Sequence, residues 1–549
     1  MKADFSEIDF SQDLGPLFKF FYPGAEVLCR TGINAVSGND AFSGNIKSEI
    51  NISGEAENAD FEAEELYLFF DTRDEEFKIY LNGRQEVSEK VDFLGTTDVE
   101  ESVGHIMPLE KVRRRDYKNQ LMRAVYRILE KRTGKSLPWG TLTGVRPTKL
   151  CFDRLEKGLE DNVTHMRETY YCSEKKAVLA EQIAKKELRL LQELDYKNGY
   201  SLYVGFPFCP SICNYCSFGS HPTDRFGHLI EPYIEALLHE IDECAGLIRD
   251  LKLETVYFGG GTPTAVSAEQ LARVIKRVKE RFDFSNVKEF SVEAGRPDCI
   301  DAEKLQVLKD AGVTRISINP QSMRQKTLDI IGRRHTAEKT VEAFRLARSM
   351  GFDDINMDII AGLSGECLED MKYTLDEIAK LDPESITVHT LALKRAARLT
   401  TEKENFAGCE ASEVPEMVEY AADFCKKHGY EPYYLYRQKN MTENLENVGY
   451  AKPGKEGLYN ILIMEEQQMI LALGAGSSSK FTDYRYLEKL RKLENGCSPL
   501  NDAELEAGPI IRRFGRVENV KAVGIYIDQI DEMIKRKREF LGVDTEKNQ

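Results

Sequence analysis

Between residues 200 and about 395 the chain alternates short β-branched or aromatic runs with longer segments whose apolar positions recur at helical spacing. That alternation predicts successive βα units and hence a parallel sheet with crossover helices. Six strands are expected, at 202–206, 255–258, 288–293, 314–318, 354–359 and 386–391. Helices are expected between them, at 230–247, 268–282, 302–311, 337–350 and 367–381, because parallel strands need right-handed crossovers. The predicted fold class is α/β, a partial (β/α)6 barrel, with an α+β domain before it and a mostly helical domain after it. Residues 1–110 read as the small α+β domain, with strands at 66–70 and 77–81 and a hairpin turn signal at Asn82-Gly83. Residues 111–199 read as a helical connector (helices at about 109–133 and 173–194), residues 200–395 as the barrel, and 396–549 as the helical cap. The cap is expected to hold a Gly-rich turn at 474–476 and a last helix at 524–541.

Every chemically suggestive motif falls at or just beyond the carboxyl end of a predicted strand, where βα barrels build their sites. Strand one leads into Cys209, Cys213 and Cys216, a C-x3-C-x2-C run. Strand two ends in Gly259-Gly260-Gly261-Thr262-Pro263, strand three in Glu293, and strand four in Asn319-Pro320-Gln321. Strand five ends in Asp358, and strand six in His389-Thr390-Leu391-Ala392. Three closely spaced thiolates can ligate three irons of a 4Fe–4S cubane, leaving one iron open to a small molecule. A zinc half-site is the alternative reading, but a zinc ribbon needs a second cysteine pair, and the other nine cysteines are scattered singly. Consecutive glycines let a backbone approach a ligand closely. Glu293 and Asp358 could accept hydrogen bonds from a ribose diol or an ammonium group, or be solvated loop acids. Arg333 could clamp a carboxylate, or lie with Arg334 on an exposed turn before a helix cap at Thr336.

Composition narrows the function classes. At 549 residues the chain exceeds one ordinary core. A formal net charge of −17 argues against a nucleic-acid partner, and no apolar stretch is long enough to span a bilayer. The first residues are acidic and lack an apolar h-region, and the cysteines form no disulfide framework, so a reducing cytoplasm is expected.

With those residues in view, the chain resembles the oxygen-independent coproporphyrinogen III oxidase group of radical S-adenosylmethionine (SAM) enzymes, most of all its HemZ-type branch. The motifs are Tyr-Val-x-x-Pro-Phe-Cys from Tyr203, Gly-Gly-Gly-Thr-Pro-Thr from Gly259, Ser-x-Glu ending at Glu293, and Asp-x-Ile-x-Gly-Leu from Asp358. A segment from Trp139 to Leu150 resembles the element that marks the branch. The resemblance implies that Cys209, Cys213 and Cys216 hold a 4Fe–4S cluster. It implies that Tyr203, Gly260, Glu293 and the backbone near Ser478 meet a cluster-bound SAM. Tyr215, Cys216, Ser217, Gly261, Thr262, Gln321, Arg333, Asp358 and Ala392 would line a second SAM. It further implies a tetrapyrrole substrate and an electron donor such as flavodoxin or ferredoxin. Arg296, Lys394 and Arg395, just past strands three and six, are candidate cations for the substrate's carboxylates.

Two positions depart from the decarboxylating members. Gly205 stands where they carry histidine, and Phe218 where they carry a fourth cysteine. The His-Asn-x-x-Tyr motif of the haem-chaperone branch is absent, with Tyr459-Asn460 at the matching place. The expected activity is anaerobic conversion of coproporphyrinogen III propionates to vinyl groups. Haem trafficking and radical methyl or adenosyl transfer on a tetrapyrrole are the alternatives.

Overall fold

The computed structural model describes residues 2–5, 10–22, 28–31, 67–71, 76–81, 84–91, 101–102, 105–106, 109–144, 146–216, 220–248, 251–392, 413–438, 444–466, 468–481 and 515–541. Ser217, Phe218, Lys394, Arg395 and the Asn82-Gly83 turn lie outside them. The chain divides into two compact units, Met1–Gly144 with Asp161–Val178, and Val145–Glu160 with Leu179–Gln549.

The first unit holds a five-stranded sheet in the order Leu28–Thr31, Lys2–Phe5, Tyr67–Asp71, Glu76–Leu81, Arg84–Lys90. The last two strands pair antiparallel on either side of residues 82 and 83. The helix Leu109–Thr133 belongs to this unit's core. Its Tyr117, Leu121 and Val125 are buried with Phe10, Phe18, Phe70, Phe77 and Ile79.

The second unit is built on an eleven-stranded sheet. Its first six strands are β1 (Gly199–Phe206), β2 (Lys252–Gly260), β3 (Glu289–Gly295), β4 (Arg315–Ile318), β5 (Ile355–Ala361) and β6 (Ser385–Thr390). They pair in chain order and in parallel. Between or after them run α1 (Ile230–Cys244), α2 (Ala268–Arg281), α3 (Ala302–Asp310), α4 (Ala337–Ser349), α5 (Leu368–Ala379) and α6 (Val414–Lys427). The strands are buried almost throughout (Leu202, Val204, Val256, Phe258, Ile316, Ile359 and Ile386 have no exposed surface), as expected of parallel strands covered on both faces. Helix starts follow their capping residues. Ser267 and Gln270 form a reciprocal capping box, and the Asp301 and Thr336 side chains accept from the Lys304 and Lys339 N–H groups.

Among the described residues β6 and β1 are not hydrogen-bonded to each other, so the barrel stays open. Strands from the carboxyl-terminal third flank it: β7 (Glu431–Tyr436), β8 (Asn447–Ala451), β9 (Met469–Leu473), β10 (Ser478–Phe481) and β11 (Gly515–Glu518). β8 runs antiparallel to β6, and β9 joins the parallel run beside β1. The chain therefore contributes both helices and sheet after residue 396. Its last helical stretch is two helices, Val523–Asp528 and Ile530–Phe540, broken at Gln529.

A buried ion pair ties this end to the barrel. Lys537 Nζ donates to Glu240 Oε1 at 2.7 Å, and Tyr526 and the Gly474 N–H donate to Glu240 Oε2 at 2.6 and 2.7 Å. Asn519 Nδ2 also donates to Oε1 at 2.8 Å, so each carboxylate oxygen accepts two hydrogen bonds, which is what makes a buried charge tolerable. The pair also holds the Gly474–Gly476 turn against β1. Gly474 has φ +96°, and a Cβ there would sit 2.6 Å from the Gly205 carbonyl oxygen and from the Tyr233 hydroxyl.

Candidate functional site: the carboxyl end of the barrel

The cysteine loop leaves β1 and is moored on both flanks. Gly261 N–H donates to Phe206 O at 2.7 Å and Thr262 N–H to Phe208 O at 2.8 Å, so the triple-glycine turn grips the stem. A Cβ on Gly261 would lie 2.5 Å from Phe208 O, which explains the glycine by close approach. On the other flank, Asn214 N–H donates to Ile331 O at 2.9 Å and its amide to Ile330 O at 2.7 Å. Cys209, Cys213 and Cys216 are not in disulfides; Cys213 is buried and the other two half-buried. Cys209 Sγ lies 3.4 Å from Thr262 Oγ1. Among the described residues no three His, Cys, Asp or Glu side chains converge on one point, as a mononuclear metal would require. A cubane makes a different demand, since each thiolate binds its own iron. Three cysteines on one anchored loop, none in a disulfide, fit it.

Glu293, on β3, accepts from Tyr257 Oη at 2.6 Å. Burial, opposed by hydrogen bonds from Tyr257 and the Gly260 N–H, pushes its carboxyl up to about 7. Asp358, on β5, behaves oppositely. Burial raises its carboxyl, but interactions with His389 and hydrogen bonds from Asn356 and Thr387 outweigh that and hold it below the usual range. The Asn356 amide lies 2.7 Å from Asp358 Oδ1, and His389 Nε2 lies 3.6 Å from Oδ2. The other ring nitrogen of His389 lies 3.2 Å from Tyr436 Oη on β7. Aromatic rings fill the space around these acids. Tyr257 stacks on Tyr459 at 4.4 Å and on Tyr203 at 6.2 Å, and Tyr434 stacks on Tyr436 at 6.2 Å.

Several expected ligand-binding residues carry buried polar atoms without a protein partner. Gln321 Oε1, Ser478 Oγ and Arg333 Nε are such atoms, each costly to bury unless something bonds to it. Gln321 also holds φ +65°, an uncommon conformation for a non-glycine residue, fixed by bonds to Asp358 O and from Ile360 N. Gly260, at φ +110°, lies beside Tyr203, whose hydroxyl would be 3.3 Å from an added Cβ. Ala392 follows β6 at the same end. These positions present donors and acceptors of the kind that a polar nucleoside ligand needs.

Arg333 is buried, not on an exposed turn; its Nη1 and Nη2 reach Asn319 O at 2.6 Å and Tyr215 Oη at 3.1 Å. Arg334 alone is exposed. Arg296 corrects the sequence reading. It is 3% exposed, and its guanidinium is taken up by Asp298 and the cysteine loop, so it is not a free cation for substrate carboxylates. His389 was named from sequence only as part of the end of strand six, with no role, and Tyr436 was not singled out. The alternation in Pro432-Tyr433-Tyr434-Leu435-Tyr436 was the available sign of a strand presenting aromatics.

Comparison with known proteins agrees with this geometry. The radical SAM superfamily model matches residues 203–378, so the barrel is that of a radical SAM protein, and a 4Fe–4S cluster and SAM are its cofactors. The oxygen-independent coproporphyrinogen-III oxidase-like protein HemZ of Bacillus subtilis (strain 168) is 42% identical over 380 residues, covering 68% of this chain and 76% of its own. The chain belongs to the coproporphyrinogen oxidase-like family of radical SAM proteins, in the HemZ-type branch. The haem chaperone HemW of Lactococcus lactis (strain IL1403) is 31% identical over 297 residues, 52% of this chain and 71% of its own. The oxygen-independent coproporphyrinogen III oxidase of Escherichia coli K12 is 32% identical over 192 residues, 35% of this chain and 42% of its own. No helix among the described residues is long and apolar enough to cross a membrane.

Proposed function

We propose that this protein oxidatively decarboxylates the propionate side chains of coproporphyrinogen III, or of a close tetrapyrrole, without oxygen. The observation that carries the reading is the gathering of six strand-end motifs at one barrel end, in a chain 42% identical to HemZ. Cys209, Cys213 and Cys216 would hold the cluster. Tyr203, Gly260, Glu293 and the Ser478 segment would hold the SAM bound to it. Tyr215, Cys216, Ser217, Gly261, Thr262, Gln321, Arg333, Asp358 and Ala392 would line a second SAM. When bound, cluster and SAM supply one-electron chemistry that removes a hydrogen atom from the propionate β-carbon. Each propionate then loses carbon dioxide and one further electron, which a separate acceptor must take, leaving a vinyl group.

The protein's part in this chemistry is to orient and shield. Glu293 as a carboxylate accepts from an ammonium group, and the low-lying Asp358 carboxyl stays ionised to accept from a second donor. The ring stack of Tyr203, Tyr257 and Tyr459 keeps water from the barrel interior behind them. Lys394 and Arg395 remain candidates for the substrate's carboxylates, and flavodoxin or ferredoxin for the electron donor. A reducing cytoplasm suits the nine cysteines among the described residues, none of which is in a disulfide.

Reconstituted protein should convert reduced coproporphyrinogen III anaerobically, with SAM and a reductant, to a vinyl-bearing porphyrinogen. Carbon dioxide should appear in step with 5′-deoxyadenosine. The 31% identity to HemW favours haem trafficking as the second reading. SAM cleavage without decarboxylation, together with stoichiometric haem binding, would establish that reading and refute the first.

A further inference from the structure

Two buried guanidiniums, Arg296 and Arg333, lie against the cysteine loop. At the end of β3, Gly295 turns the chain with φ +65°, and the one-turn helix Pro297–Cys299 follows. That turn lets Asp298 receive Arg296 as a fork, Nε to Oδ1 at 2.9 Å and Nη2 to Oδ2 at 2.7 Å. The remaining arm, Nη1, reaches Ser211 Oγ at 2.8 Å, Ser211 O at 3.2 Å and Cys213 Sγ at 3.8 Å. Arg333 also interacts with Cys213, while it donates to Asn319 O and Tyr215 Oη.

Among the described residues the local charge does not balance. His335 Nδ1 is 3.7 Å from Asp298 Oδ1, but burial, with Arg333 nearby, lowers its pKa to about 4, so at neutral pH it is uncharged. Asp298 thus compensates Arg296, whereas among the described residues no carboxylate pairs with the buried Arg333, whose Nε has no protein partner. An uncompensated buried cation is expensive. The group that would compensate it is anionic and belongs on the adjacent cysteine loop. A thiolate-ligated iron–sulfur cluster meets that requirement, and it gains a further negative charge each time it is reduced. Nearby charge, and hydrogen bonds to sulfur, are established controls of cluster potential.

We propose that Arg296, set by its pairing with Asp298, and Arg333 position the Cys213 segment and raise the reduction potential of the cluster it holds. The role of Arg296 is toward the cluster and not toward the substrate, and that of Arg333 toward the cluster adds to its proposed place beside SAM. The inference rests on the assignment of the three cysteines as cluster ligands. It commits to opposite effects for the two members of one ion pair. Arg296→Met removes a cation, so reduction becomes at least tenfold less favourable, about 59 mV more negative for a one-electron couple. Asp298→Asn removes an anion and leaves the cation, so the potential rises. Arg296→Lys keeps the charge and stays closer to wild type than Arg296→Met.

The experiment is an anaerobic redox titration of reconstituted protein, followed by the electron paramagnetic resonance signal of the reduced cluster, with iron content measured on each sample. A residue that only braces the fold would change iron content or melting temperature but not the midpoint of the clusters that remain. Wild-type iron loading in Arg296→Met and Asp298→Asn, with both midpoints unmoved or moved in the same direction, overturns the proposal. If Arg296→Met retains no iron, the pair Asp298→Asn and Arg296→Lys decides. A raised potential in the first with a near-normal one in the second supports the proposal, and an unmoved potential in Asp298→Asn sinks it. Wild-type protein that takes up no iron would instead refute the ligand assignment.

Discussion

Around the cysteine loop the buried charges are guanidiniums, Arg296 and Arg333, held by Asp298, Asn319 and Tyr215. Within the barrel end, the charges are carboxylates, Glu293 and Asp358, held by Tyr257, Asn356 and His389. Glu293, Arg296 and Asp358 stand at or just past strand ends of one sheet and Arg333 in the segment between β4 and α4, and Glu293 and Arg296 are only three residues apart on the chain. The difference matches the cofactors of the family. Positive charge gathers where an anionic cluster would sit, and negative charge where the ammonium and sulfonium of SAM would lie. In a chain of net charge −17, local arrangement matters more to this site than overall charge.

The comparison is broken most severely at the thiols. Cys209→Ala, Cys213→Ala and Cys216→Ala are each expected to abolish the charge-transfer absorbance of reconstituted protein and its SAM cleavage. Losing one thiolate leaves two irons without protein ligands. Cys299→Ala should keep near-normal iron. Cys299 is buried a few residues beyond Arg296, and burial pushes its thiol up to about 12, which marks it as an inert core thiol. Equal damage from Cys299→Ala and Cys213→Ala, measured as iron per protein, would show that the ligand set has been drawn wrongly.

The acidic region should respond differently, losing SAM while keeping iron. Glu293→Ala and Asp358→Ala each remove charge-assisted hydrogen bonds of about 1.5–3 kcal/mol, a roughly tenfold or greater loss of affinity. Calorimetry on the iron-loaded variants measures it. Unchanged affinity in both would make these acids structural and erase the contrast between the two regions.

A smaller effect separates Glu293 from Asp358 by pH. The Glu293 carboxyl lies at about 7, so SAM affinity should hold above that pH and weaken as the carboxylate is protonated below it. Asp358, held low, should add no dependence in that range. Stability of the SAM-free protein runs the other way. A carboxyl raised above its ordinary 4.5 contributes stability that is fully present below that pH and lost as pH rises through about 7. Glu293→Gln should therefore flatten the binding profile and melt higher than wild type above pH 7. A binding profile that keeps its full slope in Glu293→Gln would assign the titration to another group.

The smallest expected effect lies at the substrate. Under the proposed decarboxylation, Lys394→Ala with Arg395→Ala should raise the KM for coproporphyrinogen and leave uncoupled SAM cleavage at its wild-type rate. A fall in uncoupled cleavage would place this pair with the radical-generating groups.

Much of the barrel could be read along the chain because parallel βα units write themselves locally. Continuous apolar runs such as those around Leu202, Val256 and Ile359 mark strands buried on both faces, and Ser267, Asp301 and Thr336 announce the helices that follow. The motif residues were legible for the same reason, since each stands at its own strand's end. What local pattern could not contain was pairing across the chain. Arg296 looks like any cation after a strand until the fold sets Asp298, Ser211 and Cys213 around it. His389 means little until β7, some forty residues later in the chain, brings Tyr436 to one nitrogen while Asp358 stands near the other. The placement of β9 beside β1, and of Lys537 on Glu240, likewise depends on contacts between residues hundreds of positions apart. Hydrophobic period and capping depend on neighbours within a few residues and are carried by the sequence itself. Charge compensation depends on whatever lies within a few ångströms, and only the folded chain decides that.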